Sequence, residues 1–263
     1  MTLTLHEVRP ASADLGGLLL DFDGTIADTE NSHRLAYNRA FAEFGLDWNW
    51  TAELYADLLG VAGGKERLHY YLAGYRPDSL AAALRDGLIE ELHRVKSRHF
   101  AAIASTIPLR TGIRRLMHEA KVGGVRIAVV TTASRSGVEA LLSQDPALLP
   151  MIDLIAGGEA VERKKPAPDI YQWALARLDL APDECIAIED SNIGLRSASG
   201  ADVATLVTVS TFTSEHDFGG AAAVVSDLGD DDRHARSICG PSPPNGIVDL
   251  AFLRDLRASR RGE

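Results

Sequence analysis

Two textures of apolar and polar positions alternate along most of this chain. Gly17-Leu18-Leu19-Leu20 is a short unbroken apolar run that stops at Asp21 and Gly24, the signature of a strand buried on both faces. The same texture returns at 125–130 (Val125-Arg126-Ile127-Ala128-Val129-Val130), near 152–155, at 185–188 (Cys185-Ile186-Ala187-Ile188) and near 203–207. Between these runs the apolar residues take helical spacing, near 111–122, 136–143, 168–178 and 192–199. Strand alternating with helix predicts an α/β fold, a doubly wound parallel sheet covered on both faces.

One stretch breaks the alternation. After the first strand, Asp28 or Thr29 is placed to cap a helix to about Phe44, with Tyr37, Ala40, Phe41 and Phe44 at helical spacing and Gly45 as its stop. Leu54, Leu58 and Leu59 mark a second helix; Gly63-Gly64 ends it, and Lys65-Glu66-Arg67 opens a third, to about Leu72. A turn at 74–78 precedes a long helix from about Ser79 to Phe100, with Leu80, Leu84, Leu88, Leu92 and Val95 on one side. The expected organisation is therefore a core of 1–28 and 106–230, an inserted all-helical cap domain at 29–105, and an irregular C-terminal extension at 231–263 that ends in a short helix through Leu250, Leu253 and Leu256. Residues 1–15 read as a loose extension or an edge segment.

Composition narrows the partners. With 46% hydrophobic and 24% charged residues in 263, the chain is globular. A net charge of −10 disfavours nucleic acid and anionic membrane surfaces, and obliges any anionic substrate to find local cations or a metal. Cys185 and Cys239 have no metal-like spacing, no apolar run reaches membrane-spanning length, and the first residues, with Glu7, Arg9 and Asp14, lack a signal-peptide core. A soluble, cytoplasmic, monomeric protein acting on a small molecule is the expectation.

Four chemical signals fall at four strand ends, the edge where open α/β sheets bind ligands. Asp21 and Asp23, two apart, can serve as nucleophile and acid/base on a phosphate, or be an acidic turn. Thr131 ends the 125–130 strand; its hydroxyl and the N–H groups after it, beginning with Thr132, can hold phosphate oxygens, though a lone threonine there is commonly a turn residue. Lys165, held in an extended Lys164-Lys165-Pro166-Ala167-Pro168-Asp169 segment, can neutralise a phosphate or be part of a solvated basic loop. Glu189-Asp190-Ser191 suits a hard cation such as Mg2+, or a helix N-cap.

In this order, Asp-x-Asp-Gly-Thr, strand-terminal Thr, Lys-Pro-x-Pro-Asp and Glu-Asp-Ser, the motifs resemble the haloacid dehalogenase superfamily over roughly residues 16–230. The resemblance implies Mg2+-dependent phosphoryl transfer through an aspartyl-phosphate, with the metal held by Asp21, the Asp23 carbonyl, Glu189 and Asp190. Thr25-Ile26-Ala27-Asp28-Thr29-Glu30 with His33-Arg34, the segment 45–50, Gly63-Gly64-Lys65-Glu66-Arg67 and Thr131-Thr132-Ala133-Ser134 further resemble CbbY-type sugar phosphatases. That likeness implies hydrolysis of xylulose-1,5-bisphosphate to xylulose 5-phosphate, in the setting of the Calvin cycle. Asp28 stands where a glutamate is expected in that group and reaches less far toward substrate. A sugar phosphomutase, a phosphatase for another metabolite such as phosphoglycolate, and a non-catalytic sensor are the competing functions.

The cap segment has its own reading. A bisphosphate needs cations away from Asp21. Gly63 and Gly64 admit close backbone approach at a helix start, and Lys65 and Arg67 add charge. The alternative is a glycine turn before a basic helix. His33 faces the site or is merely exposed. Trp48 and Trp50 are expected to pack in a core or hinge rather than to shape a pocket.

Overall fold

The apolar run Gly17–Leu20 is β1, buried at every position, and it lies inside the sheet, third from one edge. In the computed structural model of the protein, residues 14–79, 86–143 and 145–259 are described. The expected N-terminal extension over 1–13, Leu80 and Leu84 of the expected long helix, and residues 260–263 lie outside them. Around β1 stand β2 (Arg126–Val130), β3 (Leu154–Ala156), β4 (Cys185–Glu189), β5 (Ala204–Thr208), β6 (Ala223–Val225) and β7 (Ser237–Cys239). They form one seven-stranded sheet in the order β3-β2-β1-β4-β5-β6-β7, parallel except for the β6–β7 edge pair.

Strand order reverses beside β1, which pairs with both β2 and β4. Leu20 is in register with Val129 on one side and Ile188 on the other, so Asp21, Val130 and Glu189 come level at the carboxyl edge. This is the switch point at which doubly wound sheets open a crevice. Alternation along the strands divides the core. Leu18, Leu20, Ile127, Val129, Ile186 and Ile188 face α5 (Ile113–Val122) and α6 (Arg135–Leu142). Leu19, Ala128, Val130 and Ala187 face α7 (Asp169–Leu178), and Ala198 of α8 (Asn192–Gly200) joins that layer.

Between β1 and α5 the regular elements among the described residues are helices, with no strand beyond isolated bridges at Asp23, Ala27 and Leu109: α1 (Glu30–Glu43), α2 (Ala52–Leu58), α3 (Gly64–Tyr75) and α4 (Leu88–Ala101). This block has its own core, in which Tyr37, Phe41, Trp48, Trp50, Tyr55 and Tyr71 pack edge-on and stacked. Both tryptophans are packing residues. Two expectations are corrected here. The long helix from Ser79 is not continuous, because Gly87 takes a left-handed conformation (φ +64°) and α4 starts at Leu88. The third helix continues past Leu72 to Tyr75, and the expected turn at 74–78 is reduced to a break at Arg76, after which 77–79 is helical again.

The C-terminal stretch is corrected as well. The expected short helix through Leu250, Leu253 and Leu256 is present, but the described residues 231–259 are not otherwise an irregular extension. They supply β7, and α9 (Leu250–Ser259) buries Leu250, Phe252, Leu253 and Leu256 in the main core beneath the sheet. Arg257 then anchors the helix by donating to the carbonyls of Asp14 at 2.9 Å and Asp183 at 3.1 Å. Leu253→Ala is accordingly expected to lower the unfolding free energy by about 2–5 kcal/mol in urea denaturation, the cost of a cavity at a fully buried leucine.

Candidate functional site

The level ends of β1, β2 and β4 bring together residues far apart in sequence. Lys165 enters from the loop before α7, after which the Lys165–Pro166 peptide is cis. Its buried ammonium donates to Asp21 Oδ1 at 2.7 Å, Glu189 Oε1 at 2.6 Å and the Val130 carbonyl at 2.8 Å. Those contacts use all three of its N–H donors. The Tyr171 hydroxyl donates to the same Glu189 oxygen at 2.5 Å. Asp190 is buried beside them and accepts from the Ser210 side chain. Gly24, at φ +84°, closes against Asp190, where any Cβ would collide with the carboxylate. Thr131 is buried; its N–H pairs with the Ala156 carbonyl at 3.0 Å, and its hydroxyl oxygen accepts from the Ala133 N–H at 3.0 Å.

Asp21, Glu189 and Asp190 offer carboxylate oxygens within 4.8 Å of one another. Burial pushes the Asp21 carboxyl up to about 8, with the charge of Glu189 adding to the rise and Lys165 opposing it. Burial and the charges of Asp21 and Glu189 drive Asp190 up in the same way. Such a set of hard oxygen donors, negative beyond what one lysine balances, fits a divalent cation of the Mg2+ kind.

Asp23 is set apart. Its Oδ1 accepts from the Thr29 hydroxyl at 2.5 Å and lies 3.1 Å from His33 Nε2. Lys96 Nζ stands 2.8 Å from His33 Nδ1 and, as an ammonium, can only donate, so Nε2 carries the imidazole proton and donates to Asp23. The His33 ring stacks on Phe100 at 3.9 Å between centroids. Burial alone would raise the Asp23 carboxyl; the His33 ring, the Thr29 hydroxyl and the Lys96 charge outweigh it and hold Asp23 at about 2. Burial and Lys96 together hold His33 down at about 4, against the pull of Asp23, so the ring is neutral at pH 7.

A cavity of about 590 Å³ joins these groups. Asp21, Asp23, Thr131, Thr132, Lys165 and Asp190 line it from the sheet; His33, Gly63, Gly64, Lys65 and Arg67 line it from the helical block. Gly64 is pressed against His93 and the Tyr37 hydroxyl, with no room for a Cβ, and its carbonyl accepts from Tyr37 at 2.9 Å. Two expected substrate contacts come out differently. Asp28 is exposed and does not line the cavity, because its N–H pairs with the Pro108 carbonyl where the chain crosses between domains. Glu30 lines it instead, accepting from Tyr55 at 2.8 Å. Arg67 borders the cavity, but its guanidinium is engaged with the carbonyls of Leu58 and Val61 and the Tyr55 hydroxyl, so Lys65 is the more available charge. Lys96 and Tyr171 are not singled out by the sequence, which marks Thr29 only as a helix cap and Glu30 only as part of a motif. Of the first two, Lys96 has a signal, as a lysine on the apolar stripe of α4, one turn after Leu92.

This geometry is that of a sheet-edge phosphotransfer site with a helical lid, and comparison with known proteins agrees. A profile of the haloacid dehalogenase-like hydrolases matches residues 18–208, and the chain belongs to that family. It is 44% identical over 245 residues to the plasmid-encoded protein CbbY of Cupriavidus necator, covering 90% of this chain and 94% of that one. Protein CbbY of Cereibacter sphaeroides is 43% identical over 209 residues, 78% of this chain and 88% of that protein. Among solved structures, CbbY from Rhodobacter sphaeroides in complex with phosphate superposes with a TM-score of 0.73 at 39% identity, over 81% of this chain and 94% of that one. A mutant of that protein in complex with xylulose-(1,5)bisphosphate gives 0.73 at 38% identity, covering 82% and 96% of the two chains. Among the described residues no helix is long and apolar enough to cross a membrane.

The contact between Lys96 and His33 makes a prediction. In the metal-free protein the His33 ring is expected to titrate near 4. In Lys96→Met, with a cation removed and Nδ1 open to a proton, its pKa rises; NMR titration of the ring protons reads the shift, and an unchanged value contradicts the assignment.

Proposed function

We propose that this chain is a Mg2+-dependent phosphatase of small sugar phosphates, with xylulose-1,5-bisphosphate as substrate and xylulose 5-phosphate and inorganic phosphate as products. One observation carries the reading: Asp21, gripped by Lys165 at 2.7 Å, and Asp23, gripped by Thr29 and His33, border the same cavity in contrasting environments. Two carboxylates on one cavity, one within the proposed cation site and one outside it, are placed as a nucleophile and an acid/base need to be, and a cation at Asp21 would favour the ionised form that attacks. The solved CbbY mutant with xylulose-(1,5)bisphosphate supports the choice of sugar.

The chemistry balances in two steps. An oxygen of the Asp21 carboxylate attacks phosphorus, and the bond to the sugar oxygen breaks as that oxygen takes the proton carried by Asp23. Oδ1 of Asp23 is committed to Thr29 and His33, which leaves Oδ2 to carry that proton. Water then attacks the aspartyl-phosphate, giving up a proton to the Asp23 carboxylate, the form its partners stabilise, and Asp21 is regenerated. The Thr131 hydroxyl and the Thr132 N–H hold equatorial phosphoryl oxygens, while the Lys165 ammonium, bonded to Asp21 and Glu189, offsets their charge as a fixed cation. Asp21, Asp190 and the Asp23 carbonyl would hold Mg2+, with Glu189 behind them; when bound, the ion offsets charge on the phosphoryl oxygens. The second phosphate lies toward Gly63, Gly64 and Lys65 at the start of α3, where helix N–H groups favour an anion.

Two outcomes test this. Asp21→Asn is expected to lower phosphate release at least about 10³-fold, and EDTA to abolish it in the wild type until Mg2+ is restored. Near-normal turnover by Asp21→Asn ends the assignment, and an isomerised sugar phosphate without free phosphate makes the enzyme a mutase. Lys65→Ala is expected to raise KM roughly 10- to 100-fold for the bisphosphate and to leave sugar monophosphates unaffected, since a lost charge-assisted hydrogen bond costs about 1.5–3 kcal/mol. Equal effects on both substrates remove Lys65 from the second phosphate.

A further inference from the structure

Arg110 sits where the chain returns from the helical block to the sheet, and its guanidinium reaches four backbone carbonyls in three segments. Nη1 donates to the carbonyl of Gly24 and, at 2.9 Å, to that of Thr208. Nη2 donates to the carbonyls of Val209 at 2.6 Å and Ser226 at 3.0 Å. Gly24 follows Asp23 directly. Thr208 ends β5, Val209 opens the loop that carries Ser210, Thr213 and His216 to the site, and Ser226 follows β6. The Arg110 backbone is engaged too: its N–H donates to the Ile26 carbonyl at 2.9 Å, beside an antiparallel bridge between Ala27 and Leu109. Both crossings between the domains are therefore tied together at this residue.

The chemistry is particular to arginine. A planar fork with several donors satisfies carbonyls lying in different directions, whereas a lysine offers one compact charge. Arg115 provides a contrast one turn further on. Its Nη2 donates to the carbonyls of Leu228 at 3.1 Å, Gly229 at 3.0 Å and Val248 at 3.1 Å, none of which belongs to the acidic loop or borders the cavity. Similar bonding thus serves two different segments, and only Arg110 grips the loop that presents Asp21 and Asp23.

We propose that Arg110 is a positioning residue: its hold on the Gly24 carbonyl sets where Asp21 and Asp23 present their carboxylates, and couples that setting to the domain crossing. The inference rests on the phosphatase reading above. The test uses p-nitrophenyl phosphate with Mg2+ on wild type, Arg110→Ala, Arg110→Lys and Arg115→Ala. Both Arg110 variants are expected to lose about 10- to 100-fold in kcat with KM changed less than about threefold, the scale of a displaced catalytic group. Arg115→Ala is expected to lower the denaturation midpoint and keep kcat within about twofold of wild type. Hydrogen exchange read by mass spectrometry is expected to quicken over 21–30 in Arg110→Lys and to be unchanged there in Arg115→Ala. Retained kcat in the Arg110 variants, or a kcat loss in Arg115→Ala of equal size, overturns the proposal. Failure of both Arg110 variants to fold also overturns it and makes Arg110 a support of the fold. A wild type that releases no phosphate sinks the phosphatase reading instead, and the exchange comparison still decides whether Arg110 holds the loop.

Discussion

Negative charge buried at the sheet's switch point is the constraint on which the rest depends. Asp21, Glu189 and Asp190 lie within 4.8 Å of one another at the ends of neighbouring strands. Like charges that close cost about 3–4 kcal/mol per pair at an effective dielectric of about 20. Register forces the proximity, since Leu20 is level with Ile188 and the residues that follow must be neighbours. Lys165 is the internal answer: one ammonium bonded to β1's Asp21, β2's Val130 and β4's Glu189 holds three strand ends at once. Its own protonation is secured, against the cost of burial, by Asp21 and Glu189. The remaining negative charge makes the site one that draws a further cation, and with it an anionic phosphoryl group.

Asp23 escapes this crowding by facing the other domain. Two residues from Asp21, it is held low by donors that arrive on α1, with Lys96 of α4 behind them. The acid/base proposed for the reaction is therefore tuned by the helical block, while the proposed nucleophile is tuned by the sheet. A carboxylate pushed up to about 8 and another held at about 2 stand in one loop because that loop spans the border between two environments.

How much of this was legible follows from the physics of each segment. β1, β2, β4 and β5 are central or near-central strands, and full burial writes them as unbroken apolar runs. β6 and β7 are three residues each, too short for periodicity to separate from a loop, and β7 is exposed along its length. Asp21, Asp23, Thr131, Lys165 and Asp190 were readable because strand ends on one edge must converge. Asp28 misled because adjacency to the motif does not fix direction: the pairing of 26–28 with 108–110 turns it outward, and Glu30, in the first turn of α1, faces inward. Arg67 misled because a sequence shows a charge but not the carbonyls that occupy it. Arg110 left no local signal at all, since its partners at 24, 208, 209 and 226 are contiguous only in the folded chain.

The sheet and the helical block each have an apolar core; Ala36 of α1 and Phe100 of α4 pack into that of the sheet, and the loop after β5 reaches the block from another side. Phe212, on the loop after β5, packs edge-on against Tyr55 of α2 at 5.7 Å, and Tyr55 in turn donates to Glu30 and meets Arg67. An aromatic pair of this kind contributes about 0.5–1.5 kcal/mol beyond its buried area. The loop that carries Phe212 also carries Ser210, the partner of Asp190, and Thr213 and His216, which border the cavity. Contact with the helical block and support of the acidic cluster are thus made by one short segment. A ligand reaching from Lys65 to the sheet edge would add to these contacts, so closure over substrate and completion of the charge balance would be one event.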